Sequence, residues 1–325
     1  MKVSVDDLIQ TACRALEAAG CPPAAARITA EHYVDAERLG KQTHGLSKFC
    51  KELAQYRQRD GEPVVVRDTG ACVLLDGQGE LGPVGADLAV RLVIERARRH
   101  GIALVGLTNI QRYGMLDPWA RRIAEADLVG IVTNSCEPAV APFGGTQAVL
   151  GTNPLAAGFP TSTTPLVIDM ATAKAPMSRL LLDDPLPEET FLNGAGDYTT
   201  TPAEVRAVDG FGEHRGFLVG LVLQLLTGSL LGTPMGSAIR SPADLGYFFV
   251  AVDPARFGSI EDFKRDNSRF LAELRHSRPK NPAVPVRLPG EESGARFAET
   301  ARTGLVELGE DRYREFLRAC RGDDV

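Results

Sequence analysis

The stretch Cys72-Val73-Leu74-Leu75-Asp76-Gly77-Gln78-Gly79-Glu80-Leu81-Gly82 decides the fold class. It reads as a strand, then the spacing Gly77-x-Gly79-x-x-Gly82, then a helix over Ala86 to Arg99. That is the dinucleotide fingerprint in its usual setting. The chemistry of the fingerprint needs one more part, an acid about twenty residues on that holds the ribose hydroxyls. No Asp or Glu lies between Arg96 and Leu116, and the second strand runs out in Thr108-Asn109. Asp76 would also set a carboxylate beside a pyrophosphate. The stretch therefore reads as a glycine-rich turn ahead of a helix, and the sheet around it as something other than a Rossmann sheet.

Working outward, short runs rich in β-branched and aliphatic residues recur at Val64-Val66, Ile102-Val105, Val129-Val132, Leu166-Ile168 and Gly246-Val252. With the helix between them they predict an α/β sheet. The first sixty residues read as helices. Ser4 and Asp7 make a capping pattern ahead of Leu8, Ile9, Ala12 and Leu16, and Gly20 closes that helix. Pro22-Pro23 opens a second helix towards Gly40, and Thr43 is the expected N-cap of a third that turns Leu46, Phe49 and Leu53 inward. Residues 183–209 read as a loop, 214 onward as an apolar helix, 260–275 as a helix, 279–289 as an extended proline-rich tail and 309–320 as a last helix. The expected organisation is a helical domain from residues 1–60 plus 285–325, and an α/β domain over 61–284.

Composition narrows the function. Of 325 residues, 44% are hydrophobic and 24% charged, with a net charge of −6, which is ordinary for a globular enzyme and offers no basic stripe for nucleic acid. The most apolar stretch, Gly216 to Leu231, is broken by Gln224, Thr227 and Ser229 and falls short of the ~20 residues of a membrane span. It reads as a buried helix. Met1 to Asp7 carries acids where a secretion signal would be apolar, so a cytoplasmic location is expected. The six cysteines contain no CxxC pair, which predicts reduced thiols and no metal site.

Several short segments can carry chemistry. His44 and Lys48 are four apart and share one helical face, so a cation could hold a substrate carboxylate while the imidazole handles a proton. A solvated structural histidine would look the same. Pro142-Phe143-Gly144-Gly145 and Gly151-Thr152-Asn153-Pro154 are either plain turns or places where backbone amides approach a ligand. Ile168-Asp169-Met170-Ala171-Thr172 ends a strand on an acid and small residues. His214-Arg215 stands at a helix N-terminus, where a basic pair is poorly placed for the dipole unless it serves an anion.

In this order and spacing, with Asp253-Pro254-Ala255-Arg256-Phe257-Gly258 and Val286-Arg287-Leu288-Pro289-Gly290-Glu291, these segments resemble the malate/L-lactate dehydrogenase family over nearly the whole chain. The resemblance implies a homodimer, a mixed sheet that binds NAD or NADP, and a mainly helical domain built from both chain ends. It implies that His44 moves the proton with help from the Thr43 hydroxyl, and that Lys48, Arg112 and Glu52 face the substrate. It implies cofactor contacts at Tyr113, Gly114, Met115, Leu116, Thr152, Asn153, Asp169, Met170, Ala171, His214, Arg215, Pro289 and Gly290.

The chain departs from the family pattern close to the chemistry. Thr43 stands for a serine, Lys48 for an arginine, Arg215 for a lysine, and Gln111-Arg112 for an Asn-His pair. Arginine stays protonated and cannot take the second histidine's role as proton acceptor. Lys48 lacks the bidentate fork of arginine. Lys174, Pro176 and Arg179 follow Asp169 where small residues are usual. The expected activity is reduction of a C=O or C=N bond next to a carboxylate, on a 2-keto or imino acid. The alternative is a relative that binds cofactor but has lost hydride transfer. Arg112 or Arg215 near the ribose favours NADPH over NADH.

Overall fold

The computed structural model describes residues 1–56, 61–181 and 185–322. The expected boundary near residue 60, the start of the 183–209 loop and residues 323–325 lie outside them. In chain order the elements are β1 (Lys2–Ser4), α1 (Val5–Ala18), α2 (Pro23–Arg38), α3 (Leu46–Gln55), β2 (Val64–Asp68), β3 (Cys72–Asp76), α4 (Gly82–His100), β4 (Ile102–Thr108), α5 (Asp117–Glu125) and β5 (Val129–Asn134). Then follow β6 (Leu155–Phe159), β7 (Leu166–Met170), β8 (Phe191–Leu192), β9 (Ala207–Val208), α6 (His214–Thr227), β10 (Tyr247–Val252), α7 (Ile260–His276), α8 (Glu291–Thr303), β11 (Leu305–Glu307) and α9 (Glu310–Arg321).

The central sheet has seven strands in the order β2-β3-β4-β10-β5-β6-β7. β3 and β4 run parallel, while β10 lies between β4 and β5 and is antiparallel to both, with Val250 opposite Leu104 and Ile131. This is a mixed sheet, as the missing ribose acid implied. Two of the fingerprint glycines, Gly77 and Gly82, have a packing reason instead, and Gly79 sits at φ +70°. A Cβ at Gly82 would stand 2.4 Å from the Arg112 backbone, and one at Gly77 would stand 2.8 Å from the Asn109 carbonyl. Gln111 N–H donates to the Glu80 carbonyl at 2.9 Å. The turn is glycine-rich because the segment 109–112 lies directly against it.

The two ends of the chain meet. β1 pairs antiparallel with β11, Val3 opposite Val306. Leu8, Leu16, Tyr33, Leu46 and Phe49 share one apolar core with Val306 and Phe316. The Ser4 hydroxyl accepts the Asp7 N–H at 3.2 Å, and Gly20 turns out of α1 at φ +93°.

The structure corrects three local readings. Thr43 does not cap α3. It lies in a 3-10 turn over Gln42–His44, and Gly45 is the N-cap residue. The 183–209 loop contains the small β8–β9 ladder, which Lys174 clamps by donating to the Glu189 carbonyl at 2.6 Å and Asp209 Oδ2 at 3.2 Å. The apolar α6 is not buried in the single chain, since Leu218 and Val222 are 52% and 57% exposed. Among the described residues no helix is long and apolar enough to cross a membrane.

Candidate active site

The His44 turn is built from three directions. α2 brings Glu37, whose Oε1 accepts the Leu46 N–H at 2.8 Å and so supplies the cap that Gly45 cannot. α9 brings Arg312, which reaches Glu37 Oε2 at 3.3 Å and Gln42 Oε1 at 2.9 Å. The 110–116 loop brings Gly114, where a Cβ would meet the His44 carbonyl at 3.1 Å. His44 is thus fixed between the helical layer and the loop carried by the glycine turn.

Its side chain is half-buried, with Nδ1 2.9 Å from the Thr43 hydroxyl. Burial, then the charges of Lys48 and Lys41, lower its pKa from 6.5 to about 4. The imidazole is neutral at ordinary pH. With Nδ1–H donating to the Thr43 hydroxyl, Nε2 carries no proton and is free to accept one. One turn on, Lys48 Nζ donates to Glu52 Oε1 at 2.9 Å, and both side chains are largely shielded. Arg112 forms an ion pair with Glu137. Behind this rim lies an aromatic wall. His32 stacks on Trp119 at 4.9 Å between centroids, and Tyr113 packs on Tyr247 at 4.8 Å. The His32 ring nitrogens, the Tyr113 and Tyr247 hydroxyls and Trp119 Nε1 are buried without a protein partner.

The segments with cofactor expectations divide into groups. Tyr113, Met115 and Leu116 turn their side chains into the core, so this loop offers a ligand its backbone and Gly114. Asp169, at the end of β7, accepts the Asp117 N–H at 3.3 Å at the start of α5. Burial raises its carboxyl from 3.8 to about 6, against a lowering by Lys41. Thr152, Thr172 and α6 form one cluster. The Thr152 carbonyl accepts from Thr172 N–H and Oγ1 at 3.0 and 2.9 Å, and Thr172 O accepts the Phe211 N–H at 3.1 Å. Met170 and Ala171 lie on the same path, half-buried.

Asn153 is fully buried, and its amide is spent on the protein. Oδ1 accepts the Cys136 N–H at 3.1 Å, and Nδ2 donates to Gly220 O and Gln224 Oε1 at 3.1 and 3.0 Å. It positions Thr152 and offers no amide to a ligand. Pro289 and Gly290 stand apart. They line a cleft of about 530 Å³ with Arg121, Val167 and Arg275, on the side of β7 that α7 and α8 cover.

His214 and Arg215 are exposed at the start of α6, which has no side-chain cap. The His214 ring meets Phe143 at 5.8 Å. Beside them a second cleft, of about 600 Å³, is lined by Phe143, Gly144, Gly145, Gly196, Gly210 and Glu213 among others. A Cβ at Gly210 would stand 3.0 Å from the Phe217 nitrogen, so the cleft keeps close backbone approach by using glycine. The cleft lies at the positive end of α6, and Lys174, Asp209 and Glu213 also stand on its wall.

Three participants carry no local signal in the sequence. Lys41 acts electrostatically on both His44 and Asp169. Glu137 meets Arg112 across 25 positions. Tyr247 comes from a strand far along the chain. Each depends on tertiary pairing that neither periodicity nor a short motif encodes. Among the described residues no group of three or more His, Cys, Asp and Glu could hold a metal ion.

The sheet is of non-Rossmann type and stands beside a shielded imidazole with a lysine one helical turn on. The chain belongs to the malate/L-lactate dehydrogenase family, whose sequence pattern matches residues 3–316, and it is an oxidoreductase. It is 28% identical to the L-sulfolactate dehydrogenase of Methanothermobacter thermautotrophicus, over 100% of this chain and 98% of that protein. It is 28% identical to the ureidoglycolate dehydrogenase (NAD(+)) of Escherichia coli K12, over 98% and 95%. The solved sulfolactate dehydrogenase of Methanocaldococcus jannaschii superimposes with a TM-score of 0.88 at 27% identity, covering 99% of this chain and 97% of that one.

Proposed function

We propose that the protein reduces a C=O or C=N bond next to a carboxylate, and catalyses the reverse oxidation, with His44 moving the proton. The observation that carries this reading is the His44 imidazole, held by Thr43 at 2.9 Å, with the Lys48 ammonium one turn away. A nicotinamide dinucleotide, when bound, supplies or accepts the hydride. The neutral imidazole is ready to take the proton of a substrate hydroxyl in oxidation. In reduction it must first be protonated. A carboxylate drawn to Lys48 offsets the positive charges that hold its pKa down, so substrate binding favours the protonated form. Neither Arg112 nor Tyr113 stands ready as a second acid–base group. Arg112 is committed to Glu137, and burial pushes the Tyr113 phenol well above 10.

Thr152, Asp169 to Ala171 and His214-Arg215 would hold the cofactor. One relative is named for NAD(+), and the pairing of Arg112 with Glu137 removes one reason to favour NADPH, so NADH is the first cofactor to test. We also propose a homodimer. Leu218, Val222 and Leu225 form an exposed apolar face on α6, the helix that carries His214 and Arg215 at its start. The test is the loss of NADH or NADPH absorbance with pyruvate, oxaloacetate and cyclic imino acids as substrates. Turnover of one or more supports the reading, and none with either cofactor contradicts it.

A further inference from the structure

Two of the cations around the His44 site, Lys48 and Arg112, are already met by acids. Lys48 Nζ lies 2.9 Å from Glu52 Oε1, and Arg112 is paired with Glu137. The two pairs flank the contact between the His44 turn and the 110–116 loop. Gly114, two residues after Arg112, lies against the His44 carbonyl. The charges of Glu52 and Arg112 both act on the buried Tyr33 and Tyr247 phenols, and Glu137 acts on Tyr247 as well. A substrate with two anionic ends would need two cations free to receive it. Here each is compensated, and a second anion would face the Glu137 carboxylate at the half-exposed rim, where that side chain is 39% exposed.

Each carboxylate uses one oxygen in its ion pair. Among the described residues, Glu52 Oε2 and Glu137 Oε2 have no protein donor. A carboxylate accepts at both oxygens, so each acid can hold its own cation and one more donor. Lys48 in turn has three N–H donors, only one of which is given to Glu52. A ligand can therefore offer a carboxylate to Lys48 and a positive group to Glu137 without breaking either pair.

We propose that the substrate is zwitterionic: a 2-oxo or imino acid whose far end carries a guanidinium or ammonium group that Glu137 receives. This rests on the reduction proposed above and names the substrate class for the same site. Glu137 is then a specificity residue, and its partner Arg112 is the cation that a dianion would need.

The test compares kcat/KM of the full chain with NADH on three 2-oxo acids of similar length. They are 5-guanidino-2-oxopentanoate, the neutral 2-oxohexanoate and the dianionic 2-oxoadipate. The cationic acid is expected to exceed the dianionic one by about tenfold or more. Glu137→Gln frees Arg112 and should lower that ratio by about tenfold, mainly through KM, while Glu137→Asp retains it. A parent that uses 2-oxoadipate as well as the cationic acid overturns the inference, as does a ratio unchanged in Glu137→Gln. Turnover of 2-oxohexanoate without preference for the cation overturns this inference alone. Failure of all three acids, where pyruvate, oxaloacetate or a cyclic imino acid is turned over, overturns this inference alone.

Discussion

Glu37 Oε1 accepts the Leu46 N–H at 2.8 Å through space that a side chain at Gly45 would fill. A Cβ there would stand 2.2 Å from the same oxygen. The start of α3, and with it the His44 turn, is therefore set by a carboxylate from α2 and not by a cap of its own. Gly45→Ala should displace Glu37, cost about 1–3 kcal/mol of stability and reduce kcat/KM by about tenfold or more. Urea unfolding and steady-state rates measure the two effects. A variant with parental stability and rate would show that the turn does not depend on this contact.

Acid should destabilise the protein before it reaches the usual carboxylate range. His32 titrates at about 3 and His44 at about 4 in the folded chain, and both near 6.5 when unfolded. Below 6.5 the unfolded chain binds the extra protons, so this contribution is full above 6.5 and lost as pH falls towards 4 and 3. Asp169, raised from 3.8 to about 6, works the other way and gains stability as pH falls through about 6. Asp35 and Glu37, also raised by burial, act with Asp169, but the two histidines begin to cost stability near 6.5, before Asp169 takes up its proton near 6. The urea midpoint should fall between pH 7 and pH 5, and His32→Phe, which keeps the ring against Trp119, should flatten the slope. A midpoint that rises towards pH 5 in the parent would contradict this balance.

Asn153 holds three partners from two segments, Cys136 and helix α6. Asn153→Ala strands the Cys136 N–H and the Gly220 carbonyl, and should cost about 2–4 kcal/mol in urea unfolding. Dinucleotide affinity should fall with it, because Thr152 loses its support. Loss of affinity with no loss of stability would assign Asn153 to the ligand instead.

The exposed face of α6 gives the assembly prediction. Leu218→Lys combined with Val222→Lys should shift the species seen by light scattering from dimer to monomer, with helix content by circular dichroism unchanged. A parent that is already monomeric at micromolar concentration would remove the homodimer.

Much of the fold was legible because its signals are local. Val64-Val66, Cys72-Leu75, Ile102-Val105 and Val129-Val132 all lie in strands of the sheet. The absence of an acid after Thr108 correctly separated the glycine turn from a Rossmann fingerprint. β6 escaped because Leu-Ala-Ala-Gly-Phe has no β-branched residue, and Gly158 is there to admit the Ala120 carbonyl, 2.3 Å from where its Cβ would be. α8 escaped because Glu291–Thr303 has one buried residue, Thr300, and so no apolar stripe. α6 misled because an all-apolar helix reads as buried, whereas its outer face is open in the single chain. In the site, His44 and Lys48 were visible as a spacing. Their modifiers, Lys41 and Glu37, and the Arg112–Glu137 pair exist only once the chain is folded.

The central claim is that His44 moves the proton, and one substitution tests it most directly. His44→Asn keeps a polar side chain near Thr43 but cannot act as an acid or base at neutral pH. With a 2-oxo acid that the parent reduces, kcat should fall about 100-fold or more, while the Kd for NADH, followed by nicotinamide fluorescence, stays within about twofold. A variant that keeps kcat within a few-fold of the parent, with the same NADH affinity, would contradict the account.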